Sequence, residues 1–215
     1  MTNFIIKFRW VIIATCLLLG AGFAVLIPLA KTDPDIRNYI PDDISSRVAT
    51  DKIENEFGVQ DMIVVLFTDS SILDPDNLRQ IRDIDGDISR LNGVSSRISP
   101  FSIKSIKGEN GMLVADPLIK RIPADSAEKN RLRESILNNR FARDVVFSSD
   151  MTAASMTATI NTSEVENTTL DQIDSVINSH PGKTKIQTGG LPYIRQSITR
   201  DVRKDGLILV PVALI

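Results

Sequence analysis

The sequence predicts an α+β fold for a domain that lies between two apolar segments. One apolar segment covers residues 10–30, and the other covers residues 206–215 at the end of the 215-residue sequence. Between them, short runs of β-branched residues alternate with stretches in which apolar residues recur every three or four positions. The composition, with 42% hydrophobic and 24% charged residues, is that of a folded domain with membrane segments and argues against disorder.

Residues 10–30 are predicted to form a transmembrane helix. These 21 residues carry no charge. As a helix they would rise about 31 Å, which matches a hydrocarbon core of about 30 Å. A secretory signal peptide is the alternative, but its apolar core would be shorter, and no small-x-small cleavage site precedes Lys31. Basic residues just before the segment favour a cytoplasmic location for residues 1–9 and place residues 31–205 outside the cytoplasm.

The last apolar segment, residues 206–215, is predicted to begin a second transmembrane helix that is cut short. The nine residues after Gly206 are uncharged. As a helix they would rise about 14 Å, less than half of the hydrocarbon core. Residues 191–205 carry a narrow apolar stripe, which predicts an amphipathic connecting helix. Its basic flank either faces anionic lipid headgroups or is a solvated face. The stripe consists of Leu191, Ile194, Ile198 and Val202, and the basic residues are Arg195, Arg200, Arg203 and Lys204.

Residues 31–60 are predicted to form a linker that ends in a short amphipathic helix. Pro34 and Pro41 favour an extended conformation in the first part. Apolar residues at near-helical spacing over residues 44–57 predict the helix, and Gly58 is placed as its C-cap.

The first half of the predicted domain is one β-α-β unit. Residues 62–68 are a β-branched apolar run typical of a strand that is buried on both faces. Asp74 and Pro75 predict the N-cap and first turn of a helix, and Gly93 ends it. Residues 94–99 are predicted to return as a strand.

An insertion and a hairpin follow this unit. Residues 100–143 contain glycines and prolines that interrupt the alternation of strand and helix patterns. They are predicted to carry a helix over residues 126–138. Residues 144–147 and 153–160 flank a turn and are predicted to form the two arms of a hairpin.

A helix and a final strand complete the pattern. Ser163 and Glu166 are spaced as a capping box at the start of the helix, and residues 183–188 alternate like a strand. The order is therefore β-α-β, insertion, β-(β)-α-β. This order predicts a split β-α-β sandwich of the ferredoxin type over residues 61–190, with the sheet on one side and the helices on the other.

The sequence offers no candidate catalytic, cofactor-binding or metal-binding residue, and it does not identify the substrate-binding residues. Cys16 is the only cysteine and lies in the first predicted span, so the outer domain has no disulfide and no thiolate metal site. His180 is the only histidine and precedes a proline in a predicted turn. Ser148 and Asp150 have no histidine near them in sequence, so an enzyme is not expected. Four linker carboxylates are interpreted as solvated groups: Asp33, Asp35, Asp42 and Asp43.

Nucleic acid is not an expected partner. The formal net charge of −2 provides no basic field that would attract phosphates. Trp10, Tyr39 and Tyr193 are the only aromatic side chains other than phenylalanine, so few groups are available to stack on bases.

Several sequence segments together resemble the start of a known class of membrane protein. The first apolar segment is followed by DPDIRNYIPDD, EFGVQDMIVVLF, NGVSS, RFARDVVFSSD and GGLPYIRQSITRDVRKDGLILVPVALI. These segments resemble exporters of the resistance-nodulation-division (RND) superfamily, in the branch that includes the MmpL lipid exporters, the hopanoid exporters and, more distantly, Patched and Dispatched. The resemblance covers nearly the whole chain.

The resemblance implies that the chain is the N-terminal part of an exporter in the inner (plasma) membrane. In that family a first span, a ferredoxin-like porter domain outside the cytoplasm and five further spans form one repeat. The implied substrates are lipid-like or hydrophobic, and the implied partners are the bilayer and the remainder of the transporter chain; a homo-oligomer is left open. An ion gradient drives such exporters through ionisable residues in later spans, and neither apolar segment here contains one.

A membrane-anchored extracytoplasmic sensor or receptor is the alternative, because it would have the same topology. An exporter needs further closely spaced spans after residue 215, whereas a receptor needs a soluble helical linker and a signalling module. For the exporter, the uninterrupted stripe after Pro192 suggests a further hypothesis, in which the connecting helix transmits motion of the domain to the second span.

Overall fold

The computed structural model describes residues 7–26, 40–41, 43–57, 60–109, 112–161 and 166–213. Residues 41–194 form one compact unit, and residues 1–40 together with 195–215 form a second. The fold is α+β, as the sequence predicts. The elements in chain order are α1 (Arg9–Leu26), α2 (Ser45–Phe57), β1 (Gln60–Thr68), α3 (Pro75–Ile88), β2 (Val94–Ile98), β3 (Lys104–Glu109), β4 (Met112–Pro117), α4 (Ser126–Leu137), β5 (Ala153–Asn161), α5 (Glu166–Ser179), β6 (Lys185–Gly190) and α6 (Leu191–Ala213).

Four strands form an antiparallel sheet in the order β2-β5-β1-β6, and β3 and β4 form a separate two-stranded ladder. Strand β1 lies inside the sheet, where Val65 faces Met156 of β5 on one side and Thr188 of β6 on the other. Helix α3 connects β1 to β2, and helix α5 connects β5 to β6. The predicted order of strands and helices in the two halves of the domain is therefore present.

One face of the sheet is buried and the other is open, so the prediction that residues 62–68 are buried on both faces is wrong. Ile63, Val65 and Phe67 are fully buried. Met62 and Val64, which point to the opposite face, are 61% and 37% exposed. The physical reason is that an antiparallel sheet can be covered on one face only, whereas a continuous apolar run is more typical of parallel sheets covered on both.

Helix α3 covers the buried face with the stripe that the sequence predicts. Leu78, Ile81, Ile84 and Ile88 recur every three or four residues and are fully buried. Asp74 occupies the predicted N-cap position with an extended backbone, but its carboxylate accepts no capping hydrogen bond. The carboxylate accepts a hydrogen bond from the Ser71 hydroxyl at 2.9 Å and one from Lys129 instead. A charged partner on another element has replaced the local cap.

The insertion contains a hairpin that the sequence interpretation missed. Strands β3 and β4 pair in antiparallel register, with Lys104 opposite Pro117 and Glu109 opposite Met112. The pair Asn110-Gly111, which lies outside the described residues, is typical of the turn of a two-residue hairpin. The predicted helix of the insertion is confirmed as α4, where the Asp125 side chain accepts a hydrogen bond from the Glu128 backbone N–H at 2.7 Å.

Residues 144–147 do not form the predicted hairpin arm. They form turns, and Phe147 makes two isolated bridges, one with Arg143 and one with Ala154. Asp144 has a φ of 64°, which interrupts an extended chain. Strand β5 is paired with β2 only over residues 157–160. Next to that stretch, its residues contact the turn through the hydrogen bonds from Ser148 N–H to the Ala153 carbonyl oxygen at 3.0 Å and from Ser155 N–H to the Val146 carbonyl oxygen at 2.8 Å, without forming a strand pair.

The last predicted elements are present with shifted ends. Helix α5 begins at Glu166, and Ser163 of the predicted capping box lies outside the described residues. Strand β6 covers Lys185–Gly190 rather than residues 183–188. Helix α6 runs without interruption over Leu191–Ala213, so the predicted connecting helix and the described part of the last apolar segment are one element.

Helix α1 covers most of the first predicted span. The span was predicted over residues 10–30, of which residues 27–30 lie outside the described part of the chain. Among the helices of the described residues, none combines the length and the apolar character that crossing a membrane requires.

Helix α2 confirms the predicted amphipathic helix over residues 44–57, and its apolar residues Val48 and Ile53 are exposed.

Two glycines near α3 should respond to substitution in opposite directions. Gly86 lies inside α3 with open space where a Cβ would be, so Gly86→Ala is expected to stabilise the protein by about 0.5–1 kcal/mol. A Cβ at Gly93 would lie 2.1 Å from the Oγ1 atom of the buried Thr169. Gly93→Ala is therefore expected to destabilise it by about 1–3 kcal/mol. Denaturant unfolding of both variants measures the difference, and effects of equal sign would contradict the packing described.

Candidate functional site

Two cavities lie beside α4 in the insertion and share the lining residues Ser105, Arg131 and Ser135. The smaller has a volume of about 290 Å³, and the larger has a volume of about 580 Å³. The larger volume is within the range of about 300–1,000 Å³ that is usual for small-molecule sites. The larger cavity is lined by Ser105, Arg131, Glu134, Ser135, Asn138, Asn139, Arg140 and Phe141.

Helix α4 and its C-cap residue Asn138 position four of these side chains. Arg131, Glu134, Ser135 and Asn138 recur at helical spacing and therefore share one face of the helix. The neighbouring face carries Leu132 and Ile136, which are buried in the core and fix the rotation of the helix.

The turn after α4 presents Phe141. The Asn139 carboxamide oxygen accepts a hydrogen bond from the Phe141 backbone N–H at 2.9 Å, which is the geometry of an Asx turn. Asn139 also donates from Nδ2 to the Lys104 carbonyl oxygen at 3.4 Å. The Phe141 ring is 69% exposed at the edge of the larger cavity. The turn thus supplies a large apolar surface beside polar groups.

The two cavities differ in how their charged groups are paired. In the smaller cavity, Arg121 forms an ion pair with Glu128, and Lys120 lies 2.6 Å from Asp116. Arg131, which lines both cavities, and Arg140, which lines the larger one, have guanidinium groups without a hydrogen bond or ion pair to any of the residues that the structure describes. The larger cavity therefore has cationic groups that are available to a ligand.

A polar cluster links the insertion to the loop before α3. Lys129 of α4 donates to the Asp74 carboxylate and, at 2.6 Å, to the Ser71 hydroxyl oxygen. Asn77 donates to the Ser71 carbonyl oxygen at 3.0 Å. The hydrogen bonds from Lys129 and Ser71 hold the pKa of the Asp74 carboxyl below its usual value. These contacts keep α4, and with it the cavity face, in place against the sheet domain.

A buried ion pair joins α3 to β2. The Arg97 Nε atom donates to Asp85 Oδ1 at 2.8 Å, and the Asp85 side chain is 5% exposed. Removing the arginine would leave a carboxylate in the core without its countercharge, which makes this pair structural rather than a ligand site.

The start of α6 is anchored to α5. The Tyr193 hydroxyl donates a hydrogen bond to Asp174 Oδ1 at 2.8 Å. Burial, followed by the interaction with the Asp174 carboxylate, raises the pKa of the Tyr193 hydroxyl. Pro192 is buried in the first turn of α6, where a proline fits because its missing N–H has no helical partner.

This anchor predicts an alkaline sensitivity. A phenol whose pKa is raised on folding contributes stability below its unfolded value of about 10 and loses that contribution as the pH rises through the folded pKa. We expect the free energy of unfolding to fall above pH 10 and to fall less steeply in Tyr193→Phe, which is also about 1 kcal/mol less stable at pH 8. Denaturant unfolding between pH 8 and pH 11 tests this, and identical pH slopes for both proteins would refute it.

Ser148 and Asp150, which the sequence analysis weighed as catalytic candidates, form hydrogen bonds within a turn. The Ser148 hydroxyl accepts hydrogen bonds from the backbone N–H groups of Thr152 and Ala153, and the Asp150 carboxylate accepts from Thr152. Hydrogen bonds from Ser148 and Thr152 lower the pKa of the Asp150 carboxyl. Both side chains thus stabilise the turn before β5.

The only histidine of the sequence, His180, lies in the turn between α5 and β6. His180 Nε2 is 3.4 Å from Asp87 Oδ2, and Nδ1 is 3.0 Å from the Val176 carbonyl oxygen. Gln80 of α3 donates to the His180 carbonyl oxygen at 2.8 Å and accepts from Thr184 at 2.7 Å. These contacts tie the turn between α5 and β6 to α3.

The described residues contain no group of three or more side chains able to hold a metal ion. Of the four linker carboxylates, Asp33, Asp35 and Asp42 lie outside the described residues, and Asp43 is exposed. Cys16 is a free and exposed cysteine in α1. Sequence interpretation did not single out Arg131, Arg140 or Phe141, because nothing in their spacing marks a ligand site until the hairpin is placed beside α4.

Comparison with known proteins does not assign the site. No protein-family model matches the sequence. No curated protein matches it either. The function of this chain is therefore inferred from its topology and from the contacts described above.

Proposed function

We propose that this chain is the N-terminal part of an RND-superfamily exporter that moves lipid-like or hydrophobic substrates by using an ion gradient. In this proposal, residues 61–190 form the extracytoplasmic porter domain, which is ferredoxin-like and lies within the compact unit of residues 41–194. The observation that carries the proposal is the sheet order β2-β5-β1-β6 with helices in the β1–β2 and β5–β6 connections. A β-α-β-β-α-β chain with two interleaved halves is the pattern of the ferredoxin-like fold.

The apolar surface of α1 supports a membrane location. Trp10 and Leu18 are 73% and 75% exposed, and α1 carries no charged residue after Arg9. Apolar surface of this kind is costly in water, at roughly 25 cal/mol per Å², and is stable when lipid covers it. We propose that residues 10–30 cross the inner (plasma) membrane and that residues 31–205 lie outside the cytoplasm.

The continuity of α6 supports a mechanical role. Its first turn is held by Tyr193, and the same helix continues to Ala213. Because the backbone hydrogen bonds of a helix resist bending, a displacement of the anchored end would reach the apolar end with little loss. We propose that this helix couples movement of the porter domain to the second span.

The coding sequence after residue 215 distinguishes the exporter from the sensor. An exporter is expected to continue with closely spaced apolar segments of about 20 residues each before another outer domain. A soluble helical linker followed by a signalling module would instead support the membrane-anchored sensor and overturn the exporter proposal.

A topology measurement tests the membrane placement directly. Alkaline phosphatase, which is active only outside the cytoplasm, can be fused after residue 190 of the full chain and, as a matched control, after residue 6. The proposal expects activity from the first fusion and none from the second. Inactivity of the fusion after residue 190, at a normal level of the fusion protein, would contradict the proposed placement.

A further inference from the structure

We propose that the larger cavity beside α4 binds an anionic amphiphile, whose phosphate or carboxylate head contacts Arg131 and Arg140 and whose apolar part covers Phe141. The proposal concerns binding alone, so it can hold whether or not the chain belongs to an exporter.

The charge of the lining favours an anionic head. Among the lining residues that the structure describes, there are two guanidinium groups and one carboxylate, that of Glu134. Both guanidinium groups are without a hydrogen bond or ion pair among the described residues, in contrast to Arg121 in the neighbouring cavity. A guanidinium group presents its N–H donors in a planar fork that matches the oxygens of a phosphate or a carboxylate.

The remaining lining groups add hydrogen-bonding capacity around the same space. The hydroxyl groups of Ser105 on β3 and Ser135 on α4 line the cavity, together with the carboxamide of Asn138. Hydroxyl and amide donors of this kind fix the orientation of an oxyanion that a guanidinium group attracts.

The exposed phenylalanine indicates that the ligand has an apolar part. The Asx turn at Asn139 holds Phe141 outward at the cavity edge, where 69% of its side chain is exposed. A free inorganic anion would leave this ring in water, whereas an acyl chain would cover it at a gain of roughly 25 cal/mol per Å². The combination of a cationic cavity and an adjoining apolar ring therefore favours an amphiphile over a free ion.

The test is a titration of the full chain in a neutral maltoside detergent, followed by calorimetry. The probes are dihexanoyl phosphatidic acid below its critical micelle concentration, inorganic phosphate, and dihexanoyl phosphatidylcholine. We expect phosphatidic acid to bind and the other two to bind at least about tenfold more weakly. Inorganic phosphate binding as tightly as phosphatidic acid would overturn the apolar part of the proposal, and phosphatidylcholine binding as tightly would overturn the anionic preference.

Three variants assign the effect to the residues. Loss of charge in the double variant Arg131→Gln and Arg140→Gln is expected to weaken phosphatidic acid binding at least about tenfold. Arg133→Gln is the matched control, because Arg133 is an exposed arginine on the same helix that does not line either cavity. Phe141→Ala is expected to weaken binding of phosphatidic acid and to leave binding of phosphate unchanged.

The same variants show which result would contradict binding in the larger cavity. Equal affinity in the double variant and in Arg133→Gln would show that the cavity is not the binding site. An unchanged far-UV circular dichroism spectrum confirms that each variant is folded. All three arginines are exposed, so a folding defect is not expected.

Discussion

Replacing Gly190 with alanine is expected to destabilise the unit of residues 41–194 by about 3 kcal/mol or more. Gly190 ends β6 with a φ of 121°, a backbone conformation that residues with a Cβ rarely adopt. A Cβ built there would lie 2.5 Å from the Met62 carbonyl oxygen and 3.0 Å from the Ile63 Cα. Both contacts are backbone atoms of the central strand β1, so relief would require the sheet itself to move.

Gly189 provides the matched control for this prediction. It precedes Gly190 in the same strand, has open space around a Cβ and does not have a positive φ. Gly189→Ala is therefore expected to be neutral or to stabilise the strand by about 0.5–1 kcal/mol. Denaturant unfolding, together with hydrogen exchange of the β1 amides, measures both effects. Equal stability of the two variants would show that the β6–α6 junction is not constrained as described.

If the chain is part of an exporter as proposed, breaking α6 at Gly206 is expected to abolish export by the intact protein without unfolding the unit of residues 41–194. Gly206 lies inside the continuous helix, with open space where a Cβ would be. Proline at this position removes a backbone hydrogen bond and clashes with the preceding turn, at a cost of about 3 kcal/mol in the helix. Insertion of a flexible Gly-Ser segment after Gly206 should have the same effect, because it interrupts the proposed coupling between the anchored end and the second span.

Alanine at the same position is the control that distinguishes loss of the coupling through α6 from a general effect of substituting Gly206. Gly206→Ala is expected to stabilise the helix by about 1 kcal/mol and to retain export. Export of substrate from cells and protease resistance of the porter domain should be measured on all three variants. If Gly206→Pro exports as well as Gly206→Ala does, the coupling role of α6 is wrong. If Gly206→Pro also loses the protease-resistant domain, the folded-domain part of the prediction is wrong.

The exposed face of the sheet shows that the burial of a strand cannot be predicted from its hydrophobic pattern alone. Residues 62–68 read as a continuous apolar run, yet Met62 and Val64 are exposed while Ile63 and Val65 are buried. A run of this kind has the correct length and type for a strand, so its existence could be predicted. Whether the second face is covered depends on which other elements lie there, and the run carries no information about them.

The candidate cavity was not predictable for a similar reason. Helix α4 was predicted, but Ser105 comes from a hairpin that was missed, and Arg140 and Phe141 come from the turn after the helix. Each of these residues is unremarkable in its local sequence. Only the folding of β3 and β4 beside α4 brings them around one space.

The α+β class, the alternation of strands and helices, and the positions of α3, α4 and α5 to within a few residues could all be predicted from the sequence. These features follow from hydrophobic periodicity and from helix-ending residues, which are local properties of the chain. The tertiary structure alone decided the strand order, the one-sided burial of the sheet, the use of Asp74 as a partner of Lys129 rather than as a cap, and the positive φ of Gly190. Each of these depends on atoms that are distant in sequence and close in space, and their positions are set by packing rather than by local preference.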